Sequence, residues 1–188
     1  MLSRTNKQIL DRYPRTESNQ LIIEIAAERV EDLYNNFDKH APYVIKDLNA
    51  NLVDYIIHSV QELGDEPFVI QFRLLVPADA DLVSRVHSSI GNYFLYLKEL
   101  ELRELSSMIR TSLILLMLGI MILFLAVWVT GIANTTQQVI IHVLAQGLTV
   151  AAWVSLWNAL ATFLVNWAPH HHNIRRYKRI AAAPILFR

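Results

Sequence analysis

The sequence predicts an α+β membrane protein in which a small cytoplasmic βαβ-type domain is fused through a long helix to a two-helix transmembrane hairpin. Three observations carry this expectation. Residues 112–168 form a stretch of 57 positions without a single Asp, Glu, Lys or Arg, about twice the length that one bilayer crossing requires. The charges outside it are segregated: residues 1–111 hold all 17 acidic and twelve of the 17 basic residues, a net charge of −5, and residues 169–188 hold the other five basic residues. Ahead of the apolar stretch, strand-like patterns at 21–25 and 68–76 enclose helical ones, the order of a parallel strand pair joined by a right-handed crossover.

Residues 1–19 read as a flexible lead-in, polar and marked by Pro14 and the Thr16, Ser18, Asn19 cluster. With no apolar core of seven or more residues behind Arg4 and Lys7, this segment is not a cleaved secretory signal. The cytoplasmic domain spans residues 20–111. Leu21, Ile23 and Ile25 alternate with Ile22 and Glu24 as a first strand. Val30, Leu33, Tyr34 and Phe37 then fall at the spacing of a short helix. A clearer helix follows Pro42, with Asn49 as N-cap, Leu52, Val53, Ile56, Ile57, Val60 and Leu63 on one face, and Gly64 beyond its end. In the second strand, residues 68–76, Ile70, Phe72 and Leu74 face one way and Gln71 and Arg73 the other. From Asp79 a stripe of Val83, Val86, Ile90, Phe94, Leu97 and Leu105 starts a helix with no Pro before Pro169, so one helix is expected from about residue 80 to about residue 131. Pro184-Ile-Leu-Phe-Arg188 has the composition of a third strand returning to the sheet.

The hairpin occupies residues 112–168. Its first span, residues 112–133, is roughly 33 Å of helix at 1.5 Å per residue. The second, residues 139–167, is about 43 Å long and must tilt or bend to fit a hydrocarbon layer of roughly 30 Å. Lys98, Arg103 and Arg110 precede the first span, Arg175, Arg176, Lys178 and Arg179 follow the second, and the connection 134–138 has no charge. The positive-inside rule therefore places both termini in the cytoplasm, and the expected location is a bacterial inner membrane. Trp128, Trp167 and Tyr177 are positioned as interfacial anchors. Residues 169–188 form a basic tail in which His170, His171, His172, Arg175, Arg176, Lys178 and Arg179 would lie against anionic headgroups.

Little in the sequence points to a reaction. With no Cys, disulfides, thiol nucleophiles and thiolate metal sites are excluded. The five glycines are too scattered to cradle a phosphate, and neither a Gly-x-Ser-x-Gly elbow nor a His-Glu-x-x-His helix occurs. The acids Glu28, Glu31 and Asp32 read as a solvated face. Consecutive histidines point in different directions on a helix, so the run 170–172 reads as an interfacial cuff rather than a metal site. No catalytic residue, metal or cofactor is expected, and the weakly charged surface gives no nucleic-acid partner. The second span is unusually polar. His142, Gln146 and Thr149 share one face in its outer half, and Ser155, Asn158, Thr162 and Asn166 share a roughly opposite face in its inner half. Intramembrane polar residues of this kind join helices or line a path.

Taken in order, Leu33-Tyr-Asn-Asn-Phe-Asp38, Asp47-Leu48 with Tyr55-Ile56, Tyr93-Phe-Leu-Tyr96, Gly147-Leu-Thr-Val-Ala-Ala-Trp-Val-Ser-Leu-Trp157 and Arg175-Arg-x-Tyr-x-Arg179 resemble an uncharacterised family of bacterial inner-membrane hairpin proteins with a small cytoplasmic α/β domain. The likeness covers most of residues 20–188. It departs from the family where Asn158-Ala159 stand for Arg-Pro, Ala161 for an acid, and Asn166-Trp-Ala-Pro169 for Asp-Trp-Trp-Pro. The resemblance implies architecture and brings no reaction with it. The expected function is that of a non-enzymatic structural or accessory protein that assembles with itself or with a larger membrane complex; the alternative is a subunit of a small oligomeric channel or transporter lined by the second span.

Overall fold

The computed structural model describes residues 8–35, 37, 41–77, 79–135 and 139–188. Within them lie three strands, β1 (Leu21–Ala27), β2 (Phe68–Leu74) and β3 (Ile185–Phe187), and three long helices, α1 (Ala50–Leu63), α2 (Ala80–Thr135) and α3 (Val139–Ala181). The protein is thus a mixture of helices with a small parallel sheet, and α2 and α3 are each long and apolar enough to cross a membrane. Two compact units are formed, one by residues 1–99 with 173–188 and the other by residues 100–172.

In the first unit the sheet order is β1-β2-β3, all parallel. Leu21, Ile23 and Ile25 pair with Phe68, Ile70 and Phe72, and Ile70 and Phe72 pair in turn with Ile185 and Phe187. The last pairing is sealed by a stack of Phe72 on Phe187, ring centroids 5.3 Å apart. Strands of a parallel sheet are buried on both faces where other elements pack against the sheet, and β2 is buried from Phe68 through Phe72. Gln71, expected on a polar face, is therefore buried as well. Polarity returns one step later, where Arg73 bonds Glu24 across the strands at 2.8 Å.

Helix α1 starts and stops where its sequence dictates. The Asn49 side chain accepts the Asn51 N–H at 2.9 Å, and Gly64 takes the positive φ of 60° that side-chain-bearing residues avoid. Val53, Ile56, Val60 and Leu63 lie on its buried face and meet Val86, Ile90 and Phe94 of α2 and Ile180 of α3 in one core. The lead-in takes part in this unit: Leu10 is in the core, Tyr13 donates to Glu62 at 2.7 Å, and the Ile22 N–H reaches the Pro14 carbonyl at 2.8 Å.

One expectation is corrected, and one helix extends beyond the expected span. The short helix expected over Val30–Phe37 is a single 3₁₀ turn, Val30–Leu33. The Asp32 carboxylate holds the Arg29 N–H at its start, and at its end Tyr34 goes extended to bridge Leu48, so helical propagation stops and Phe37 is left exposed. Pro169 does not end the second apolar helix: α3 runs through it to Ala181, making most of the basic tail helical. Arg175 meets Asp65 at 3.2 Å, and Arg176 reaches Gln61 at 3.4 Å. Arg179 donates to the Gly64 carbonyl and, at 2.7 Å, to the Glu66 carbonyl, while its guanidinium covers the Phe68 ring.

Candidate functional site

The polar residues singled out from the sequence lie on the long helices of the second unit, and their setting depends on which faces of those helices meet. Along α2 the buried positions Ser112, Gly119 and Ala126 recur every seven residues; along α3 Ala145, Ala152 and Ala159 do the same. A seven-residue repeat keeps one face turned toward a neighbouring helix, and small side chains on that face let backbones come close. At Gly119 a Cβ would lie 3.0 Å from the Leu156 side chain and 3.1 Å from its backbone nitrogen, so no larger residue fits without displacing α3. An apolar groove of about 270 Å³ lies along the same contact, between Ile109, Ser112, Leu113 and Leu116 of α2 and Ala159, Leu160 and Phe163 of α3. The tryptophans point the other way. Ala126 and Ala152 are 1% and 0% exposed, against 67% for Trp128 and 70% for Trp157.

This arrangement divides the polar residues. Thr149 and Thr130 turn their hydroxyls back onto the carbonyls of Ala145 and Ala126, at 2.9 and 2.7 Å, and are satisfied within their own helices. Ser155 and Thr162 are half-buried, whereas His142, Gln146 and Asn158 are exposed on the outside of the unit. The side chain of Asn166 and the connection 136–138 lie outside the described residues. Thus the stripes do not bring their members together: the buried positions at the contact between α2 and α3 are Ala, Gly and Ser, a signal present in the sequence as a seven-residue spacing but hidden inside a uniformly apolar run.

Near the other end of this unit the His170 Nδ1 lies 2.7 Å from Glu101 Oε1, both side chains largely shielded, and Glu104 is the third member of the cluster. His171 stacks on Trp167 with ring centroids 5.5 Å apart. In the first unit Lys178 is exposed, and Tyr177 lies half-buried against the core beside Phe94.

The first unit also has a cavity of about 340 Å³ lined by Ile45, Lys46, Asp47, Asn92, Tyr93 and Tyr96. Lys46, which sequence reasoning passed over, is buried with its ammonium 5.1 and 5.0 Å from the ring centres of Tyr34 and Tyr43. Burial pushes the Tyr34 phenol up to about 12, the neighbouring Ser89 hydroxyl opposing it in part. Burial, then the charge of Asp47, raises Tyr93. A buried cation over two aromatic faces is attracted by their ring quadrupoles, and the described residues lining this cavity include no Ser, Thr, Cys or His. Comparison of the chain with protein-family models, with curated proteins and with solved structures finds no match.

Proposed function

We propose that this protein is a non-enzymatic membrane-anchored accessory protein, whose α2 and α3 form an antiparallel transmembrane hairpin that carries the βαβ-type domain and assembles with further copies or with a larger membrane complex. The antiparallel pairing is supported by the contact series itself: Glu101 with His170, Ser112 and Ala159 on one groove, and Gly119 with Leu156, one number rising as the other falls. A bacterial inner membrane with both termini cytoplasmic is supported by the basic residues on either side of the uncharged stretch, Lys98, Arg103 and Arg110 before it and Arg175, Arg176, Lys178 and Arg179 after it, and by their absence from residues 134–138. A reporter at Gln137 should then be exported, and protease access from outside to the N-terminal domain would refute that orientation.

The observation that carries the assembly reading is the exposure of His142, Gln146 and Asn158 outside the helix pair. In hydrocarbon an amide without a partner is costly, and within the pair the contact is already made by small residues, so a further helix must meet Gln146 and Asn158. Asn158→Leu with Gln146→Leu should leave insertion intact, because Leu is the easier residue to insert, and should reduce the size of the assembly purified in mild detergent. An assembly of unchanged size in the double variant would move the contact to the cytoplasmic domain.

The channel reading is favoured by one feature, the exposed His142–Gln146 face. At 100° per residue Asn158 is about 160° around the helix from His142, so these residues give no single wet face along a straight pore. Liposomes containing the purified chain should show no ion flux between pH 5 and 8, the range in which a wetted histidine would change charge. Flux that depends on pH and disappears in His142→Ala would replace the accessory reading by the conducting one.

A further inference from the structure

We propose that Glu101, Glu104 and His170 bind one divalent transition-metal ion of the Zn²⁺ type, linking α2 to α3. The inference is independent of what the assembly does. Glu101 and Glu104 stand three positions apart on α2, hence on one helical face, and α3 supplies His170 to the same point. One ligand atom from each, two carboxylate oxygens and an imidazole nitrogen, lie within 4.8 Å of one another. Three donors converging from two helices are a coordination set rather than a run of surface acids.

Charge and geometry both favour a cation there. Two carboxylates on neighbouring turns repel, Glu101 is only 12% exposed, and His170 when protonated offsets one charge at most. A divalent ion offsets both while leaving the imidazole neutral, which is the form that ligates. Bonds of about 2.0–2.2 Å in a tetrahedral shell separate adjacent ligand atoms by about 3.3–3.6 Å. Glu101 and His170, now 2.7 Å apart, need to open by less than about 1 Å, and Glu104, at the exposed edge, closes the third side. Mixed carboxylate and imidazole donors without thiolate select Zn²⁺ and its first-row neighbours over Cu⁺, and the nitrogen ligand disfavours Mg²⁺ and Ca²⁺. The fourth position is left to water.

The test uses the full chain in mild detergent, stripped with a chelator and titrated calorimetrically with Zn²⁺, with Co²⁺ absorbance as the signature of nitrogen ligation. One Zn²⁺ per chain is expected. Glu101→Gln, Glu104→Gln and His170→Asn should each weaken it by at least about tenfold, the lower end of what even an outer-shell partner contributes. His171→Asn should bind as the wild type does, and the Co²⁺ spectrum should change in His170→Asn alone of the two histidine variants. Absence of stoichiometric binding would overturn the proposal and leave Glu101–His170 as a plain ion pair. So would wild-type affinity in Glu104→Gln, an exposed substitution that spares the fold and decides the matter even where Glu101→Gln fails to fold. Loss of the ion in His171→Asn but not His170→Asn would overturn it too, assigning the ion to the surface histidine run.

Discussion

In the unit made by residues 1–99 and 173–188 the interior is filled by Phe72, Phe94, Leu21, Ile23, Ile56 and Ile70, whereas in residues 100–172 the buried positions are Ser112, Gly119, Ala126, Ala145, Ala152 and Ala159, with Phe124, Trp153 and Trp157 outside. The two units sort the same amino acids in opposite directions. In water, removing large apolar side chains from solvent stabilises by about 25 cal/mol per Å², so the largest ones go in. In hydrocarbon that driving force between helices vanishes, and close approach of backbones, which only small residues permit, takes its place. One chain therefore holds two kinds of interior, each suited to a different solvent, and this contrast supports the membrane reading more directly than hydropathy alone.

Deleting one large side chain from each unit gives the widest separation. Phe72→Ala should destabilise the sheet domain by about 3–5 kcal/mol, seen as an early loss of tertiary signal in a denaturant titration. Phe124→Ala, the same deletion on an outward face, should stay within about 0.5 kcal/mol in detergent. Comparable losses would mean that Phe124 is covered after all.

A second contrast depends on pH. The Tyr34 phenol, held at about 12 in the fold against an ordinary 10, is favoured neutral by burial, so its stabilising contribution is complete below pH 10. It should fade as pH rises from 10 to 12, by about 2–3 kcal/mol in all. Tyr34→Phe should push alkaline unfolding of the domain to higher pH and, because the hydroxyl makes no hydrogen bond of normal geometry in the core, change neutral stability by less than about 1 kcal/mol. Phenolate absorbance and circular dichroism followed together would check both halves.

Next in size, Gly119→Leu should weaken the pairing of α2 with α3 by about 1–3 kcal/mol through overpacking against Leu156. Gly131→Leu should not, since nothing lies within 4 Å of the Cβ it would add. Distances between spin labels on the two helices would separate these outcomes. The smallest effect belongs to Asn158→Leu, about 1 kcal/mol per interhelical hydrogen bond lost, read as a shift in assembly size against protein concentration.

Much of the first unit was legible because its signals are local. Asn49 and Gly64 bracket α1, alternation marks β1, and Ile185 to Phe187 read as a returning strand. What failed there also has local causes. Asn35 and Asn36 are poor helix formers, and Tyr34 gains a bridge to Leu48 by going extended, so the 3.6-residue spacing of Val30, Leu33 and Phe37 was accidental. The second span was expected over residues 139–167, whereas α3 continues through Pro169 to Ala181, because a proline removes one backbone N–H and leaves the remaining hydrogen bonds of the helix in place. In the second unit the location of the helices was plain, yet the contact face was not, because a stripe of Ala, Ser and Gly inside a run of Leu and Ile barely alters hydrophobic periodicity. The pairing of Glu101 with His170 joins positions 69 apart, and no local pattern announces it.

The strand order β1-β2-β3 has a consequence for biogenesis. β1, α1 and β2 leave the ribosome before residue 100, but β3 and the end of α3 emerge only after both long apolar segments have been made. Until then β2, apolar on both faces, has a vacant edge facing its surroundings, the kind of surface that recruits unwanted strands. The closing hydrogen bonds, from the Ile70 N–H to the Pro184 carbonyl and from the Arg188 N–H to the Phe72 carbonyl, are therefore the last to be laid down. Completion of the sheet reports that the intervening helices have been synthesised. A chain truncated between residues 100 and 172 cannot close it and keeps the β2 edge exposed.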